Sequence, residues 1–220
     1  FHLEKNRYGK LLIKVEAPLN DMTDYGTLGF FAGKIAGQET PVFTGIPTDP
    51  TQEQLKALSA ALPASGSVSM FHAVGVTPEA PTLAEAFGGQ KPERVYVFGP
   101  VEKEQSEAAL DREPSNRVDW VQIGCPHASM EEIREVADAL EGKKVHEDVT
   151  LWVTTASAMY AMAERVGYVK TIEGAGGVIV QETCPFLARS RVIAPNKGFT
   201  TLTTNSAKMA FYAPGQFGLS

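Results

Sequence analysis

The stretch VDWVQIGCPHASMEEIREVADAL, residues 118–140, predicts a β-strand that passes directly into an α-helix. Apolar residues fill most of positions 118–123, and Gly124 then interrupts the strand pattern. A capping box follows, with Ser129 at the N-cap and Glu132 three positions later. Beyond this box, apolar residues recur at helical spacing as far as residue 140. The stretch is therefore one strand–helix unit of an α/β fold.

Strand–helix alternation of the same kind extends over most of the chain. The sequence predicts further strands at 11–15, 68–74, 95–98, 149–153, 178–180 and 200–204. Helices are predicted to begin after Thr51, where Gln54 completes a capping box, at Ser157 and at Ser206. Helices of this length between strands are the crossovers that parallel strands require. We therefore expect an α/β fold with a mostly parallel sheet, arranged as one lobe or as two sub-lobes.

The first 48 residues differ in composition from the rest. They hold a strand candidate and a Gly-rich, aromatic run at 25–31, and three prolines and a glycine punctuate 41–50. We therefore expect residues 1–48 to form an N-terminal strand and Gly-rich segment that packs on the main lobe or on a missing domain. Residues 49–220 form the α/β domain, with a possible sub-boundary near 101–117.

The composition of the 220 residues is that of a globular protein, with 43% hydrophobic and 21% charged residues. A net charge of −6 without a basic run argues against binding to nucleic acid or an anionic membrane. Neither a membrane-spanning apolar run nor a secretory leader is visible, so we expect a cytoplasmic protein. Phe1 in place of Met indicates a trimmed or excised chain. No dinucleotide fingerprint and no P-loop lysine motif is present.

Reactive or polar side chains follow four of the predicted strands. They occur in Gly124-Cys125-Pro126-His127, Thr154-Thr155-Ala156-Ser157, Glu182-Thr183-Cys184 and Thr203-Thr204-Asn205-Ser206. Ligands of open α/β sheets bind outside the carboxyl ends of the strands. If these strands share one sheet or adjoining sheets, we expect the four segments to line a single crevice.

The two cysteines, Cys125 and Cys184, each follow an apolar strand and precede a proline. Two cysteines are too few for a disulfide framework in a chain of this length. Thiolates hold iron–sulfur clusters, so iron ligation is one interpretation. Burial as small hydrophobic side chains is another, and nucleophilic catalysis is a third. Spacing alone leaves all three open.

Histidine and arginine supply further candidates. His127 lies two residues after Cys125 and is placed to bind substrate oxygens or to orient a ligand. His72 lies within a predicted strand, where a histidine is more often a hydrogen-bonded core residue. Arg189 and Arg191 follow Cys184 and could clamp a carboxylate, although solvated surface charge is the alternative.

Polar residues at two strand-to-helix junctions have both a binding and a capping interpretation. Asn205, Ser206 and Lys208 surround a predicted helix N-terminus, which favours a carboxylate or phosphate. The alternative is an ordinary Asn or Ser N-cap. Thr155 and Ser157 have the same two interpretations, and for them capping is favoured.

Short stretches distributed along the chain resemble a known family. They are residues 2–7, 24–26, 41–47, 71–81, 124–127, 183–184, 204–208 and 212–215. In this order, and nearly from end to end, they resemble aconitase X. That family includes cis-3-hydroxy-L-proline dehydratases and archaeal phosphomevalonate dehydratases. The stretch from His72 to Pro81 and the Asn205-Ser206-Ala207-Lys208 run are the most specific.

The resemblance implies an aconitase-like three-layer α/β/α architecture, with 49–220 as the catalytic domain. It also implies an iron–sulfur cluster held by three cysteines, two of which are Cys125 and Cys184, with the third ligand outside this chain. The chain would be the middle and later part of a large subunit or domain. A missing N-terminal segment and a small swivelling domain or subunit would complete the site. The implied activity is that of a hydro-lyase acting on cis-3-hydroxy-L-proline or, alternatively, on phosphomevalonate.

From these observations we assign expected roles. The metal ligands are Cys125 and Cys184; the catalytic residues are His127, Ser206 and Lys208; the substrate-binding residues are His72, Asn205, Thr155 and Ser157. The resemblance implies that the general base is a serine of the swivelling domain. Two rival classes are a cysteine-dependent hydrolase or transferase and a non-catalytic binding subunit.

Overall fold

The polypeptide divides into two compact units, Phe1–Leu110 and Asp111–Ser220, in a computed structural model that describes residues 3–112, 117–188 and 190–219. The division falls within residues 101–117, where the sequence predicts a possible sub-boundary of the α/β domain. Residues 1–48, predicted to be a separate segment, supply two strands and a helix to the first unit. Over the described ranges, no helix is both long enough and apolar enough to cross a membrane.

The first unit is an all-parallel four-stranded sheet with helices. Its strands are β1 (Leu11–Val15), β2 (Pro41–Thr44), β3 (His72–Ala73) and β4 (Arg94–Phe98), in the order β3-β2-β1-β4. Its helices are α1 (Met22–Ala36), α2 (Gln52–Gly66), α3 (Leu83–Ala86) and α4 (Pro100–Leu110). Here α2 has the predicted capping box, whereas the strand predicted at 68–74 is only two residues long.

The second unit repeats this design. Its strands are β5 (Trp120–Ala128), β6 (Thr150–Thr155), β7 (Val178–Gln181) and β8 (Leu202–Thr204), in the order β7-β6-β5-β8. Its helices are α5 (Met130–Leu140), α6 (Ser157–Val166), α7 (Tyr168–Gly174), α8 (Ser190–Lys197) and α9 (Ala207–Phe217). The capping box predicted before α5 is present. The predicted α/β class with parallel strands is confirmed.

In each sheet the first strand of the unit lies between the second strand and the fourth strand. The chain therefore adds strands on one side of the first strand and then returns to add the fourth strand on its other side. Such topological switch points leave a crevice outside the carboxyl ends of the strands, because the connections on either side run to opposite faces. In the second unit the switch point lies between β5 and β8. Cys125 follows the regular part of β5, and Asn205 follows β8.

Alternate residues of β5 contact two different apolar clusters. Val121 and Ile123 pack with the cluster that contains Ile133 and Ile172, from α5 and α7. Trp120 instead belongs to a cluster built largely from α8 and α9. Because successive side chains of a strand point to opposite faces, helices cover both faces of this sheet. The second unit is therefore a three-layer α/β/α arrangement.

Helix α1 packs closely on α2 through glycines. A Cβ atom at Gly29 would lie 2.6 Å from the Leu58 carbonyl oxygen, and one at Gly33 would lie 2.1 Å from Ser65 Oγ. A Cβ at Gly66 would lie 1.9 Å from the Gly33 oxygen. These glycines therefore serve a helix–helix contact in a segment whose composition predicts an irregular, Gly-rich run.

We expect Gly33→Ala to lower the free energy of unfolding by about 1–3 kcal/mol, because the added methyl group overpacks the contact between α1 and α2. The matched control is Gly215→Ala, in α9, where a Cβ meets nothing within 4 Å. That substitution should leave stability unchanged or raise it by up to about 1 kcal/mol. Chemical denaturation of both variants measures the difference; equal effects would contradict the packing assignment.

Asp119, at the entrance to β5, joins that strand to β8. Its carboxylate accepts hydrogen bonds from the amides of Thr200 (2.7 Å) and Thr201 (3.1 Å) and from Arg117 Nε (3.0 Å). The Thr200 hydroxyl also donates to it. This hydroxyl is the largest of the influences that hold the pKa of Asp119 at about 2. The buried carboxylate thus stabilises the pairing of the two strands that flank the switch point.

Because the pKa of Asp119 is lower in the folded chain than the ordinary value of about 4 in the unfolded chain, its stabilisation is fully present above pH 4. It is lost as the pH falls towards about 2. At neutral pH we expect Asp119→Asn to cost about 1–3 kcal/mol of unfolding free energy. The control is Asp148→Asn, since that side chain is 81% exposed. Urea denaturation at pH 7 and pH 3 tests this: a penalty that does not shrink at low pH would contradict it.

Candidate functional site

The four segments singled out in the sequence lie at one edge of the second sheet. Strands β5 to β8 are all parallel and all belong to this sheet, so their carboxyl ends point the same way. The condition on which a single crevice was expected, that these strands share one sheet, is therefore met. The segments differ in which side chains remain available to a ligand.

The turn that carries Cys125 depends on Gly124. This residue has a φ of 94°, in the left-handed region that disfavours side chains. A Cβ at Gly124 would also lie 2.1 Å from the Thr154 carbonyl oxygen. In return, Thr154 Oγ1 donates to the Gly124 oxygen at 2.6 Å. The peptide bond between Cys125 and Pro126 that follows is cis.

Two further hydroxyls hold the same turn. Ser206 Oγ donates to the Cys125 carbonyl oxygen and accepts from the Met209 amide at 3.2 Å, so it is also the N-cap of α9. Thr155 Oγ1 donates to the Ala128 oxygen at 2.7 Å, and Thr155 is fully buried. Thr155 thus helps to hold the sheet edge, and its role in substrate binding stays a prediction.

Cys125 is buried, with 4% of its surface exposed, and packs in the cluster that contains Trp120 and Met209. Burial raises the pKa of its thiol, the Lys208 ammonium lowers it, and the Cys184 thiol raises it. Lys208 lies two residues after Ser206, whose hydroxyl donates to the Cys125 carbonyl oxygen. A nucleophilic cysteine needs a depressed thiol pKa, so the raised pKa argues against the hydrolase alternative for Cys125.

Cys184 lies in the turn after β7 and is half-buried. The amides of Leu187 and Ala188 donate to its carbonyl oxygen, at 3.0 and 2.9 Å. Both Cys125 and Cys184 are free thiols. No group of three His, Cys, Asp or Glu side chains that could hold a metal occurs among the described residues. Among the described residues, Cys125 and Cys184 could therefore supply at most part of the ligand set of a metal.

His127 connects the turn of Cys125 with the turn of Cys184. Its Nε2 donates to the carbonyl oxygen of Thr183, at 2.7 Å. Next to Thr183, the Glu182 carboxylate accepts from the Ser157 amide at 2.6 Å. Hydrogen bonds from the Ser157 backbone and side chain lower the pKa of Glu182, and the charge of His127 lowers it further. Ser157 thus binds Glu182, while Ala156 is the N-cap of α6 and makes no side-chain cap.

The other candidates of the second unit flank the start of α9. Asn205 Nδ2 donates to Glu132 Oε1 at 3.4 Å. Lys208 is half-buried in the first turn of α9. Arg191 Nε donates to the Gln216 carbonyl oxygen at 2.9 Å, and Arg189 lies outside the described residues.

His72 lies in β3 of the first unit, which is a different unit from the one that holds the cysteines. It is 3% exposed, and its Nε2 donates to the Arg7 carbonyl oxygen at 2.7 Å. Within the described residues, its buried Nδ1 has no hydrogen-bond partner. His72 lines an open depression together with Glu4, Tyr8 and Glu79. His2, which belongs to the matching stretch at residues 2–7, lies outside the described residues.

One polar pair was not predicted from the sequence. Lys103, in α4, pairs with the Asp24 carboxylate of α1 and donates to the Pro18 oxygen at 3.2 Å. Burial acts to raise the pKa of Asp24, but Lys103 and the Asn20 amide outweigh it, so the pKa lies below its ordinary value. The pair flanks the switch point between β1 and β4. Finding it requires the strand order, which the sequence pattern does not supply.

Family models match nearly the whole chain. The model of the aconitase X second domain matches residues 9–110, and that of the aconitase X third domain matches residues 118–220. These matches correspond to the two structural units. The unit that carries both cysteines is the one similar to the third domain.

Curated relatives and a solved structure agree with these matches. The chain is 39% identical to cis-3-hydroxy-L-proline dehydratase of Pseudomonas aeruginosa, covering 99% of this chain and 37% of that protein. It is also 39% identical to the phosphomevalonate dehydratase large subunit of Methanothermobacter thermautotrophicus, covering 100% and 52%. The crystal structure of Thermococcus kodakaraensis aconitase X in its holo-form superposes with a TM-score of 0.85 at 32% identity, covering 100% and 53%. The chain thus spans about half or less of each relative's length.

In the metal-free, reduced chain we expect iodoacetamide to alkylate Cys184 at least about tenfold faster than Cys125, because burial protects Cys125 and raises the pKa of its thiol. Mass spectrometry of digested samples taken over time measures the two rates. The chain unfolded in urea is the control, in which the rates should converge. Equal rates in the folded chain would contradict the described burial.

Proposed function

Because the chain belongs to the aconitase X family, we propose that it is part of an iron–sulfur hydro-lyase that removes water from a small hydroxy acid. The observation that carries the proposal is the hydrogen bond from His127 Nε2 to the Thr183 oxygen (2.7 Å), which joins the turn of Cys125 to the turn of Cys184 at one edge of the second sheet. The dehydratase names of the relatives support the reaction class. Since the chain spans only part of those relatives, the activity is proposed for the whole protein.

The proposed cofactor is an iron–sulfur cluster bound by the thiolates of Cys125 and Cys184. A third cysteine would come from outside this chain, consistent with the incomplete ligand set among the described residues. When bound, a cluster with an open iron position supplies Lewis-acid stabilisation of the departing hydroxide, which is otherwise a poor leaving group. The burial of Cys125 fits a ligand that must be shielded from solvent and oxidants.

The chain's own residues would bind and orient the substrate. Lys208 supplies positive charge beside Cys125, and the start of α9 adds the dipole of a helix N-terminus. We propose that Lys208 and Asn205 bind the substrate carboxylate there. Ser206, the cap of this helix, fixes the Cys125 turn at the same time. Charge and geometry at this junction thus favour an anionic group near the thiols.

Dehydration breaks one C–H bond and one C–O bond and forms one C=C bond. The proton beside the carboxylate passes to a general base, and the hydroxyl departs to complete the molecule of water. We propose that the base lies on a swivelling domain or subunit outside this chain, and we assign no base within it. We propose that His127 forms hydrogen bonds near the two thiols. His72, in the first unit, stays a candidate for substrate binding.

The proposed substrate is cis-3-hydroxy-L-proline. A relative that is 39% identical to this chain is named as the dehydratase of this compound. Phosphomevalonate is the second candidate, because the identity to its dehydratase large subunit is also 39%. Both compounds are hydroxy acids that can lose water through the same bond changes.

The test uses the full-length protein with any separate small subunit, reconstituted anaerobically with iron and sulfide. We expect this protein to eliminate water from cis-3-hydroxy-L-proline, and mass spectrometry measures the product. The rate of elimination should fall by about a thousandfold or more in Cys125→Ser and in Cys184→Ser. Turnover of phosphomevalonate alone would replace the substrate assignment. Turnover of neither compound would favour a non-catalytic binding subunit and reject the proposed reaction.

A further inference from the structure

We propose that His127 is a positioning residue that holds the two thiol-bearing loops together before any metal is bound. The Cys125 loop is defined as residues 124–128, the irregular end of β5 after its register shift, and the Cys184 loop as residues 182–188. The inference deepens the proposed function and rests on it, because both loops carry the thiols proposed as cluster ligands. It replaces substrate binding as the main role of the His127 ring.

The strand order explains why such a connection is needed. Strand β6 lies between β5 and β7, so the two loops follow strands that are not neighbours. Ladder hydrogen bonds between adjacent strands therefore cannot fix one loop against the other. The His127 side chain spans the gap, with Nε2 2.7 Å from the Thr183 oxygen. A carbonyl oxygen only accepts, so Nε2 carries the proton in this contact.

The Cys125 loop is a rigid base for this side chain. Three hydroxyls donate to its carbonyl oxygens: Thr154 to Gly124, Ser206 to Cys125, and Thr155 to Ala128. Two of these donors come from the end of β6 and one from the start of α9. Because the loop backbone is held at three points, the position of the His127 ring is largely set by its own χ angles.

Contacts hold the Cys184 loop at Glu182 and at Phe186, whose ring centroid lies 5.1 Å from that of Phe217, and the His127 bond acts between these two residues, next to the thiol. The Glu182 amide donates to the Thr155 oxygen at 3.0 Å, and the Glu182 carboxylate accepts from the Ser157 amide at 2.6 Å. These contacts tie Glu182 to β6 and α6. The His127 bond acts one residue further on, at the carbonyl group directly before Cys184. Loss of the ring should therefore loosen the segment around Cys184, while Glu182 and Phe186 stay in place.

Phenylarsine oxide is a suitable probe in the metal-free, reduced chain. Its trivalent arsenic forms two As–S bonds with a pair of adjacent thiols, and the oxide oxygen leaves as water with both thiol protons, without any change of oxidation state. We expect one arsenical per chain, with both thiols consumed. His127→Leu, which lacks the donor, should bind it about tenfold more weakly, as expected for the loss of one ordering hydrogen bond.

The conservative variant His127→Gln keeps an N–H donor and should retain most of the capture affinity. The matched control is His146→Leu, since His146 is a 69% exposed histidine of the same unit and should have no effect. Circular dichroism and thermal unfolding check that each variant is folded. If His127→Leu is unfolded, His127→Ala removes the same donor without adding an apolar side chain at this half-buried position.

Capture by His127→Leu or His127→Ala that equals the unmodified chain would overturn the positioning role and leave the proposed function intact. Failure of the unmodified chain to engage both thiols with one arsenical would overturn the positioning role and the paired-ligand proposal together. Weak capture in the variants without the donor, with recovery in His127→Gln, is the supporting result.

Discussion

The backbone turn at Gly124 is the constraint on which the candidate site depends. A positive φ and a Thr154 oxygen 2.1 Å from any Cβ leave room only for glycine. This close approach lets the Thr154 hydroxyl reach the Gly124 oxygen, and it directs the chain through Cys125 towards Ser206. Replacing Gly124 would displace the thiol, the histidine two residues later and the start of α5 together.

The switch point gives this turn its functional importance. Because β8 lies beside β5, the first turn of α9 adjoins the Cys125 turn, and Ser206 both caps the helix and binds the Cys125 oxygen. Lys208 then contributes charge where the helix dipole is also positive. A thiol, a cation and a helix N-terminus therefore meet because of strand order, although 81 residues separate Cys125 from Ser206.

Much of the fold could be predicted from local patterns. The capping boxes at Thr51 and Ser129 locate α2 and α5 correctly, because a cap is a contact between residues three positions apart. Helix α1 was not predicted, because its glycines lower helix propensity and their benefit lies in the close contact with α2. The repeated strand order of the two units is also invisible in the sequence, since it depends on pairings between distant strands.

The same distinction applies to the site. Cys125, Cys184 and the start of α9 could be found because a ligand site lies where parallel strands end, and strand ends are visible locally. The burial of Thr155 could not be predicted, since it depends on the packing of neighbouring strands. The role of Glu182 could not be predicted, because its partner Ser157 belongs to another strand–helix junction.

The most direct test of the central claim is native mass spectrometry of the full-length protein after anaerobic reconstitution with iron and sulfide. If Cys125 and Cys184 jointly hold a cluster, the unmodified protein should carry the added mass of iron and sulfide, and Cys125→Ser and Cys184→Ser should each largely lose it. Retention of the full added mass in the double variant Cys125→Ser/Cys184→Ser would contradict the account.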